Sequence, residues 1–525
     1  MIMNRKLIAV ALSCALSVVS LAGCKKNETV KGDYQKGEIS YPIDTDVTLK
    51  YWVRLSNSVS TTVQNYAETE FAKECYKKTG IKVEFIHPAQ GQEQEALNLL
   101  LASGDLPDII ETDWVSRNPE QMIENGTIIE LNDIIKDYSP NLYKYLQENE
   151  DVDKQLKTDS GKYFAYPFIR NDEKLLATSG FMMRGDWLDE LGLEVPETID
   201  EWETVLTAFK EKKCDMPIGV SLGGIYQLSG GYNTKADFYL RDGKLVYGPT
   251  EDNFKAFVER MHEWYEKGII DVNFVVLDGS LVNSNILSGK AGCTFGAGGS
   301  GLGMYLSNKP SEPADYTLIP VPYPTHEKGK TPEFGNKQLK YSPVNNAAIT
   351  AQCKYPEIAA RFLDFAYSEE GYMLNNFGIE GVSYEMKDGY PTYTDLITKN
   401  PEGLSMAQTL PLYTRASTEG PFIQDARYIE QYYQFPEQKK ALDVWGANND
   451  FDHIIPQISL TTDEAKEYNE IMNEVSTYCD EMVSKFIMGD EPIEKYDEFR
   501  NNIKAMGIDK ATEIESAAIK RFNSR

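Results

Sequence analysis

Positive charge is scarce in this chain of 525 residues. Lysine and arginine number 53 against 81 aspartates and glutamates, giving a formal net charge of −28 at pH 7. Such a protein repels a nucleic-acid backbone, whose recognition depends on clustered basic side chains, so we expect no nucleic-acid partner. Hydrophobic residues make up 41%, which is ordinary for globular proteins, and the length suits roughly two to four domains.

Histidine is also rare, and His87, His262, His326 and His453 lie far apart. His262 lacks the second histidine of an HExxH zinc motif, and the sequence contains no GxSxG nucleophile elbow and no EF-hand loop. Carboxylates are so abundant that pairs of them do not argue for a glycosidase. We therefore expect a protein that is not an enzyme and that uses no cofactor and no metal.

Cysteine is sparse, with seven in the whole chain. Two of them, Cys14 and Cys24, fall in the N-terminal segment. The others are Cys75, Cys214, Cys293, Cys353 and Cys479. Five widely spaced cysteines do not form the framework of a disulfide-stabilised fold.

Long apolar runs are confined to the N-terminus. Arg5 and Lys6 precede an apolar stretch over 7–22, which ends in LAGC at 21–24. This order resembles a bacterial lipobox, in which the chain is cut before Cys24 and its thiol receives diacylglycerol. We therefore expect a signal peptide over 1–23, lipidation of Cys24, and a location on the extracytoplasmic face of the cell membrane. An ordinary secretory signal with a chance cysteine is the alternative.

Strands and helices alternate after a polar segment over 24–46, which we interpret as a tether. Strand patterns over 47–54, 81–85 and 106–110 are separated by helical patterns. This βαβαβ start indicates an α/β protein with a doubly wound sheet.

A second unit begins after the aromatic segment at 161–167. FMMR over 181–184 predicts a strand, and Thr198 with Glu201 predicts a capping box at the start of a helix. Apolar stripes predict further helices over 251–267 and 461–489, so the C-terminal part is expected to be mainly helical.

Six sequence motifs occur one after another along the chain. They are ASGDLPDII (102–110), GTIIELNDIIKDYSPN (126–141), RGDWLDELGLEVPETIDEW (184–202), SGKAG (288–292), YPEIAARFLDFAYSEEG (355–371) and FGIEG (377–381). Together with the lipobox, they resemble the family 1 extracellular solute-binding proteins of bacterial ABC importers, in particular the long lipoproteins associated with carbohydrate uptake.

That resemblance implies a two-lobed fold of the maltose-binding-protein kind with a helical C-terminal extension. The N-terminal lobe would comprise 47–165 and 320–380, and the C-terminal lobe 166–319 and 381–525. Many members carry a calcium loop after the helix that matches 199–212, but the segment here is too short for one.

The resemblance also implies a function. A membrane-tethered monomer would capture an extracellular carbohydrate, expected to be an oligosaccharide, between its lobes and deliver it to an ABC permease. Two alternatives stay open: a polysaccharide-degrading hydrolase on the cell surface, and a receptor for another solute such as a peptide.

Candidate ligand-binding residues lie at predicted strand ends and in loops, because strand ends supply the binding loops of such clefts and sugars need aromatic faces and paired hydrogen bonds. These residues are Trp52, Arg54, Asp113, Trp114, Arg184, Arg415 and Trp445. For each tryptophan, packing in a core is the competing interpretation. Arg54, Arg184 and Arg415 would be available to an anionic sugar.

A glycine-rich run, GAGGSG at 296–301, follows a predicted strand. It matches a dinucleotide fingerprint only formally, since it comes late in the chain and no acidic residue follows at the required distance. We instead expect the backbone at Gly298, Gly299 and Ser300 to approach a ligand or to form a tight turn.

Overall fold

The computed structural model describes residues 36–37 and 40–525, so Cys24 and the predicted signal peptide lie outside the described residues. Strands β1 to β13 span, in order, Thr48–Trp52, Lys82–Ile86, Ile109–Thr112, Tyr166–Arg170, Ser179–Arg184, Phe238–Arg241, Lys244–Tyr247, Cys293–Ala297, Leu318–Pro320, Tyr341–Ile349, Tyr384–Lys387, Tyr390–Tyr393 and Ile423–Gln424.

Helices α1 to α22 span, in order, Asn57–Ser60, Glu70–Thr79, Glu93–Ser103, Pro119–Glu124, Asn132–Tyr138, Pro140–Glu148, Glu150–Gln155, Gly185–Leu191, Ile199–Lys212, Leu222–Tyr226, Asp252–Glu266, Gly279–Leu287, Met304–Ser307, Pro356–Phe365, Glu369–Phe377, Asp395–Thr398, Met406–Tyr413, Ala426–Tyr432, Pro436–Gly446, Thr462–Met488, Tyr496–Ala505 and Ile508–Asn523. The predicted capping box at the start of α9 is confirmed, since Thr198 and Glu201 cap each other's backbone. None of the helices in the described ranges is both long and apolar enough to cross a bilayer.

The first lobe is built on a six-stranded sheet in the order β13-β4-β10-β3-β1-β2. Strands β1, β2 and β3 are parallel, which confirms the predicted βαβαβ start, whereas β10 runs antiparallel between β3 and β4. Alternating apolar residues of these strands, such as Leu49, Ile109 and Ile349, are fully buried in one core.

The second lobe contains a three-stranded antiparallel sheet in the order β8-β5-β9. Its core is rich in large rings from the surrounding helices, among them Trp202 and Trp264. Both tryptophans are completely buried there. The long helix α20 and the C-terminal α22 pack on this lobe.

The chain crosses between the two sheets more than once. Strand β4 pairs in the first sheet and β5 in the second, so one crossing lies between 170 and 179. Another lies between β9 and β10, over 320–341, and β13 returns to the first sheet before α19 packs on the second. Strand pairing thus puts the first crossing a few residues after the lobe boundary expected at 165, and a segment beyond 380 also joins the first sheet.

A third, smaller core lies between the two. It joins Phe377 to rings and aliphatic side chains of the segment between 384 and 442, including Tyr393, Leu410 and Tyr428. Helix α17 in this segment contacts α1 and α2 of the first lobe. The segment continues into α19, which packs on β5 and β9, so it contacts both lobes.

Candidate functional site

A pocket of about 500 Å³ opens where the two lobes and the smaller core meet. Its wall combines Ser58 from α1 of the first lobe with the turn after β8 of the second lobe and the ends of α17, α18 and α19. The lining residues are Ser58, Gly299, Ser300, Gly303, Met304, Ser307, Asn308, Ser405, Met406, Ala407, Ser417, Tyr432, Gln434, Phe435 and Gln438. This size falls within the range of about 300–1,000 Å³ that is usual for small-molecule sites.

The glycine-rich turn forms one side of this pocket. Residues 298–303 make a single wide helical turn after β8. Gly298 is buried, and a Cβ atom there would lie 2.3 Å from the Tyr433 hydroxyl oxygen. The Gly298 carbonyl accepts a hydrogen bond of 2.7 Å from the Gln438 side-chain amide. Glycine is therefore required at 298 for close packing, while Gly299 and Ser300 line the pocket.

Two aromatic rings and several amides form the opposite side. Tyr432 ends α18, and Phe435 precedes Pro436 at the start of α19, so both rings sit at a sharp change of chain direction. Both are half-buried, whereas Gln434 between them is exposed. Rings that keep one accessible face can stack on the apolar C–H face of a sugar or on another flat ligand.

Ser417 contributes a hydroxyl group that is buried and has no hydrogen-bond partner among the described residues. A polar atom in that state normally has a partner, so a ligand hydroxyl in the pocket would satisfy it.

The segment that carries Ser417 is fixed by a buried ion pair. The Arg415 guanidinium lies 2.7 Å from Glu111 on β3, and Tyr51 on β1 donates a hydrogen bond of 2.6 Å to the same carboxylate. Burial lowers the pKa of Arg415, but Glu111, Tyr66 and Tyr51 together outweigh that effect, and the pKa is raised. Arg415 thus remains charged and holds the segment against the first sheet.

The three predicted tryptophans lie in cores instead of on the pocket wall. Trp52 is 5% exposed, and Trp114 and Trp445 are fully buried. The indole N–H of Trp114 donates to the Ile110 carbonyl at 3.1 Å, and that of Trp445 to the Phe181 carbonyl at 3.0 Å. We therefore do not include them in the candidate site.

The segment around Trp445 is helical and is not the loop predicted from its sequence. Pro436 at the first helical position, followed by Ala441, Leu442 and Trp445 at helical spacing, explains the difference. The glycine at 446, which suggests a loop, is the last residue of α19.

The predicted charged residues are dispersed. Arg184 is 2% exposed; it pairs with Asp186 through two hydrogen bonds, and its guanidinium stacks between Trp187 and Tyr316. Asp113 is half-buried and accepts a hydrogen bond from the Ser116 backbone. Arg54 follows β1 and is exposed. Of all the predicted residues, only Gly299 and Ser300 line the pocket.

Sequence reasoning missed Tyr432, Phe435, Gln438 and Ser417. The available signal was the run QYYQF at 431–435, where aromatic and amide side chains alternate next to a proline and do not follow a helical stripe. The contribution of Ser58 and Ser417 carries no local signal, because each depends on contacts with distant parts of the chain.

The pocket wall consists of apolar groups and uncharged hydrogen-bonding groups. Among its described lining residues there is no Asp, Glu, Lys, Arg or His. It therefore lacks the carboxyl pair with which most glycosidases work. Elsewhere in the described ranges, no three His, Cys, Asp or Glu side chains are grouped to hold a metal ion.

The chain is similar to known proteins in both sequence and fold. The chain is 24% identical, over 95% of both chains, to the fructooligosaccharide ABC transporter substrate-binding protein FusA of Streptococcus pneumoniae serotype 4. It is 26% identical, over 72% of this chain and 74% of the relative, to the polygalacturonan/rhamnogalacturonan-binding protein YtcQ of Bacillus subtilis strain 168. Among solved structures, the alginate-binding protein AlgQ2 superposes with a TM-score of 0.73 at 24% identity, covering 92% of this chain and all of that one.

AlgQ2 and the solved structure of FusA share the two-lobed fold, which confirms the fold class predicted from the sequence. The sequence model of the family described as bacterial extracellular solute-binding proteins matches residues 58–373. Because that match spans more than half of the chain, this protein belongs to the bacterial extracellular solute-binding proteins.

Proposed function

We propose that this protein captures an extracellular carbohydrate, an oligosaccharide, between its lobes and delivers it to an ABC permease. The observation that carries the proposal is the inter-lobe pocket, whose wall pairs two accessible aromatic rings with uncharged hydrogen-bonding groups. Sugars have apolar C–H faces and rings of hydroxyls, and such a wall complements both.

The names of the relatives support this ligand class. FusA is named for fructooligosaccharides, YtcQ for polygalacturonan and rhamnogalacturonan, and AlgQ2 for alginate. All three ligands are carbohydrates of more than one sugar unit. Their chemistry differs, so they support the class of ligand and not a particular sugar.

A glycan panel tests the proposal. We expect saturable binding by calorimetry, and a raised melting temperature, with at least one oligosaccharide. Tyr432→Ala should weaken that binding by about 1 to 2 kcal/mol, because it removes stacking and apolar contact. Tyr76→Ala, which changes an exposed ring of the first lobe, is the matched control and should bind normally.

Two results would contradict the proposal. A folded protein that binds no glycan of a broad panel would exclude the carbohydrate class. Release of shorter products from the same glycans would instead establish the hydrolase alternative.

The proposal includes a lipid anchor on Cys24, supported by the lipobox at 21–24. Two or more acyl chains hold a protein on a membrane stably, whereas a single chain gives only reversible binding. Cys24→Ser should therefore release the protein into the medium without changing its affinity for the sugar. Retention of the variant in the membrane fraction would argue against this anchor.

The division of the chain into lobes is also part of the proposal. We propose that residues from 47 to about 170, together with the segment around β10, α14 and α15, move as one body. The second body would comprise β5 to β9 together with the C-terminal helices. Ligand binding would then bring the two walls of the pocket together by hinge rotation.

A further inference from the structure

We propose that the inter-lobe pocket selects uncharged oligosaccharides and discriminates against acidic ones such as uronate oligomers. This inference rests on the proposed function and adds the chemical class of sugar. It is independent of the relatives, two of which are named for polyuronide ligands and one for fructooligosaccharides.

The composition of the wall is the first argument. Serine, asparagine and glutamine supply its polar atoms, and none of the described lining residues bears a formal charge at neutral pH. Recognition of a carboxylate relies on arginine or lysine, which form short, charge-assisted hydrogen bonds with it. The wall offers hydroxyls and amides instead, and these suit sugar hydroxyls.

Two arginines that belong to the segment carrying Ser417, or contact it, are already paired with carboxylates. Arg415 lies against Glu111 at 2.7 Å. Arg170 lies 3.1 Å from Glu419, and the second oxygen of that carboxylate accepts a hydrogen bond of 2.7 Å from Asn345. Because each guanidinium is committed to a carboxylate within the protein, neither is available to a uronate.

Arg184 is also paired with a carboxylate of the protein. Its side chain is 3% exposed, and its guanidinium is held by Asp186 and by the rings on either side of it. Of the arginines that the sequence offers for an anionic sugar, only Arg54 is exposed, and it has no ion pair among the described residues. It does not line the pocket.

The electrostatic field of the whole protein also disfavours an acidic sugar. With a net charge of −28, the protein repels an approaching anion. A carboxylate that entered the pocket would lose part of its hydration without gaining a cationic partner, which is unfavourable. A neutral sugar of the same shape avoids both costs.

The test compares two ligands that differ at one functional group, which is a primary alcohol in one and a carboxylate in the other. The first is a neutral oligosaccharide that binds in the panel, with kestose, maltotriose and cellotriose among the probes. The second is its counterpart oxidised to the carboxylic acid at C6. We expect the native protein to bind the neutral form more tightly by about ten-fold or more, the scale of one unpaired buried polar group.

A charge placed in the wall should reduce this preference. Ser300 is exposed at the pocket rim, so Ser300→Lys should fold normally. It should lower the ratio of the affinity for the neutral sugar to that for the acidic sugar by about two- to five-fold, the scale of a partly exposed ion pair. This decrease should disappear at high salt. Ser103→Lys adds the same charge on an exposed site of the first lobe outside the pocket, and should leave the ratio unchanged.

The possible results distinguish a failure of the proposed function from a failure of the inference that the pocket prefers uncharged sugars. If no sugar binds, the proposed function fails and this inference fails with it. If the acidic form binds as tightly as the neutral one, or more tightly, the function stands and the inference is overturned. An unchanged ratio in folded Ser300→Lys would also overturn it, because pocket charge would then not govern the discrimination.

Discussion

At the scale of single residues, burial separates the roles of the aromatic side chains. Trp445 is fully enclosed, and a Cβ atom on Gly180 would lie 2.3 Å from its ring. Tyr432 and Phe435, by contrast, keep an accessible face in the pocket. The larger indole ring therefore packs in the core, and the smaller rings line the pocket.

We expect Trp445→Ala to lower the free energy of unfolding by about 3 to 5 kcal/mol, because it leaves a large cavity in a packed core. Chemical denaturation measures this loss. The folded fraction of the variant should retain most of its affinity for sugar. Phe451→Ala, at a ring that is 41% exposed, is the control and should cost much less. A variant of native stability with impaired binding would show that the indole contacts the ligand.

At the scale of elements, α20 and α22 are joined by a buried acid. Glu515 on α22 is 6% exposed and accepts a hydrogen bond of 2.7 Å from Tyr468 on α20. Burial raises the pKa of Glu515 to about 7, although the bond from Tyr468 lowers it; the charge of Asp237 also contributes to the rise. The folded protein thus holds this proton more tightly than the unfolded chain does.

The stability of the C-terminal helices should therefore depend on pH. Since the folded pKa exceeds the ordinary value of 4.5, the contribution is complete below about pH 4.5 and is lost as the pH rises through 7, a change on the order of 3 kcal/mol. Glu515→Gln should flatten that part of the pH dependence measured by thermal denaturation. Glu513→Gln, on the exposed side of the same helix, should not. Equal profiles for Glu515→Gln and the native protein would refute the assignment.

At the scale of the whole molecule, two features connect the lobes. The pocket wall takes Ser58 from one lobe and Ser300 from the other. On another face, Arg521 and Arg525 at the end of α22 pair with Asp159 in a loop of the first lobe, and Arg525 also donates to the Lys157 carbonyl at 2.6 Å. A ligand that contacts both walls favours the conformation in which they are closest.

We therefore expect a sugar that binds to lower the radius of gyration in small-angle scattering, because it stabilises a closed arrangement. The Tyr432→Ala variant at the same sugar concentration should show a smaller decrease, in proportion to its reduced occupancy. An unchanged radius at full saturation would mean that binding does not require rotation of the lobes.

Much of the architecture could be predicted from the sequence, because it depends on neighbouring residues. Alternating apolar residues specify β1 and β2, and the Thr198–Glu201 box specifies the start of α9. The order of the motifs was enough to identify the two-lobed class. The candidate site was much harder to predict from the sequence, since of the predicted residues only Gly299 and Ser300 line the pocket.

The sequence by itself thus determined the acidic charge, the alternation of strands and helices, and the family. Only the tertiary structure decided which rings are enclosed, which arginines are neutralised, and which distant segments meet. Glu111 and Arg415 are 304 positions apart, yet their ion pair fixes the segment that carries Ser417. Local patterns record whether a side chain suits a strand, a helix or a turn, but its exposure and its partners are set by elements that pack against it from elsewhere in the chain.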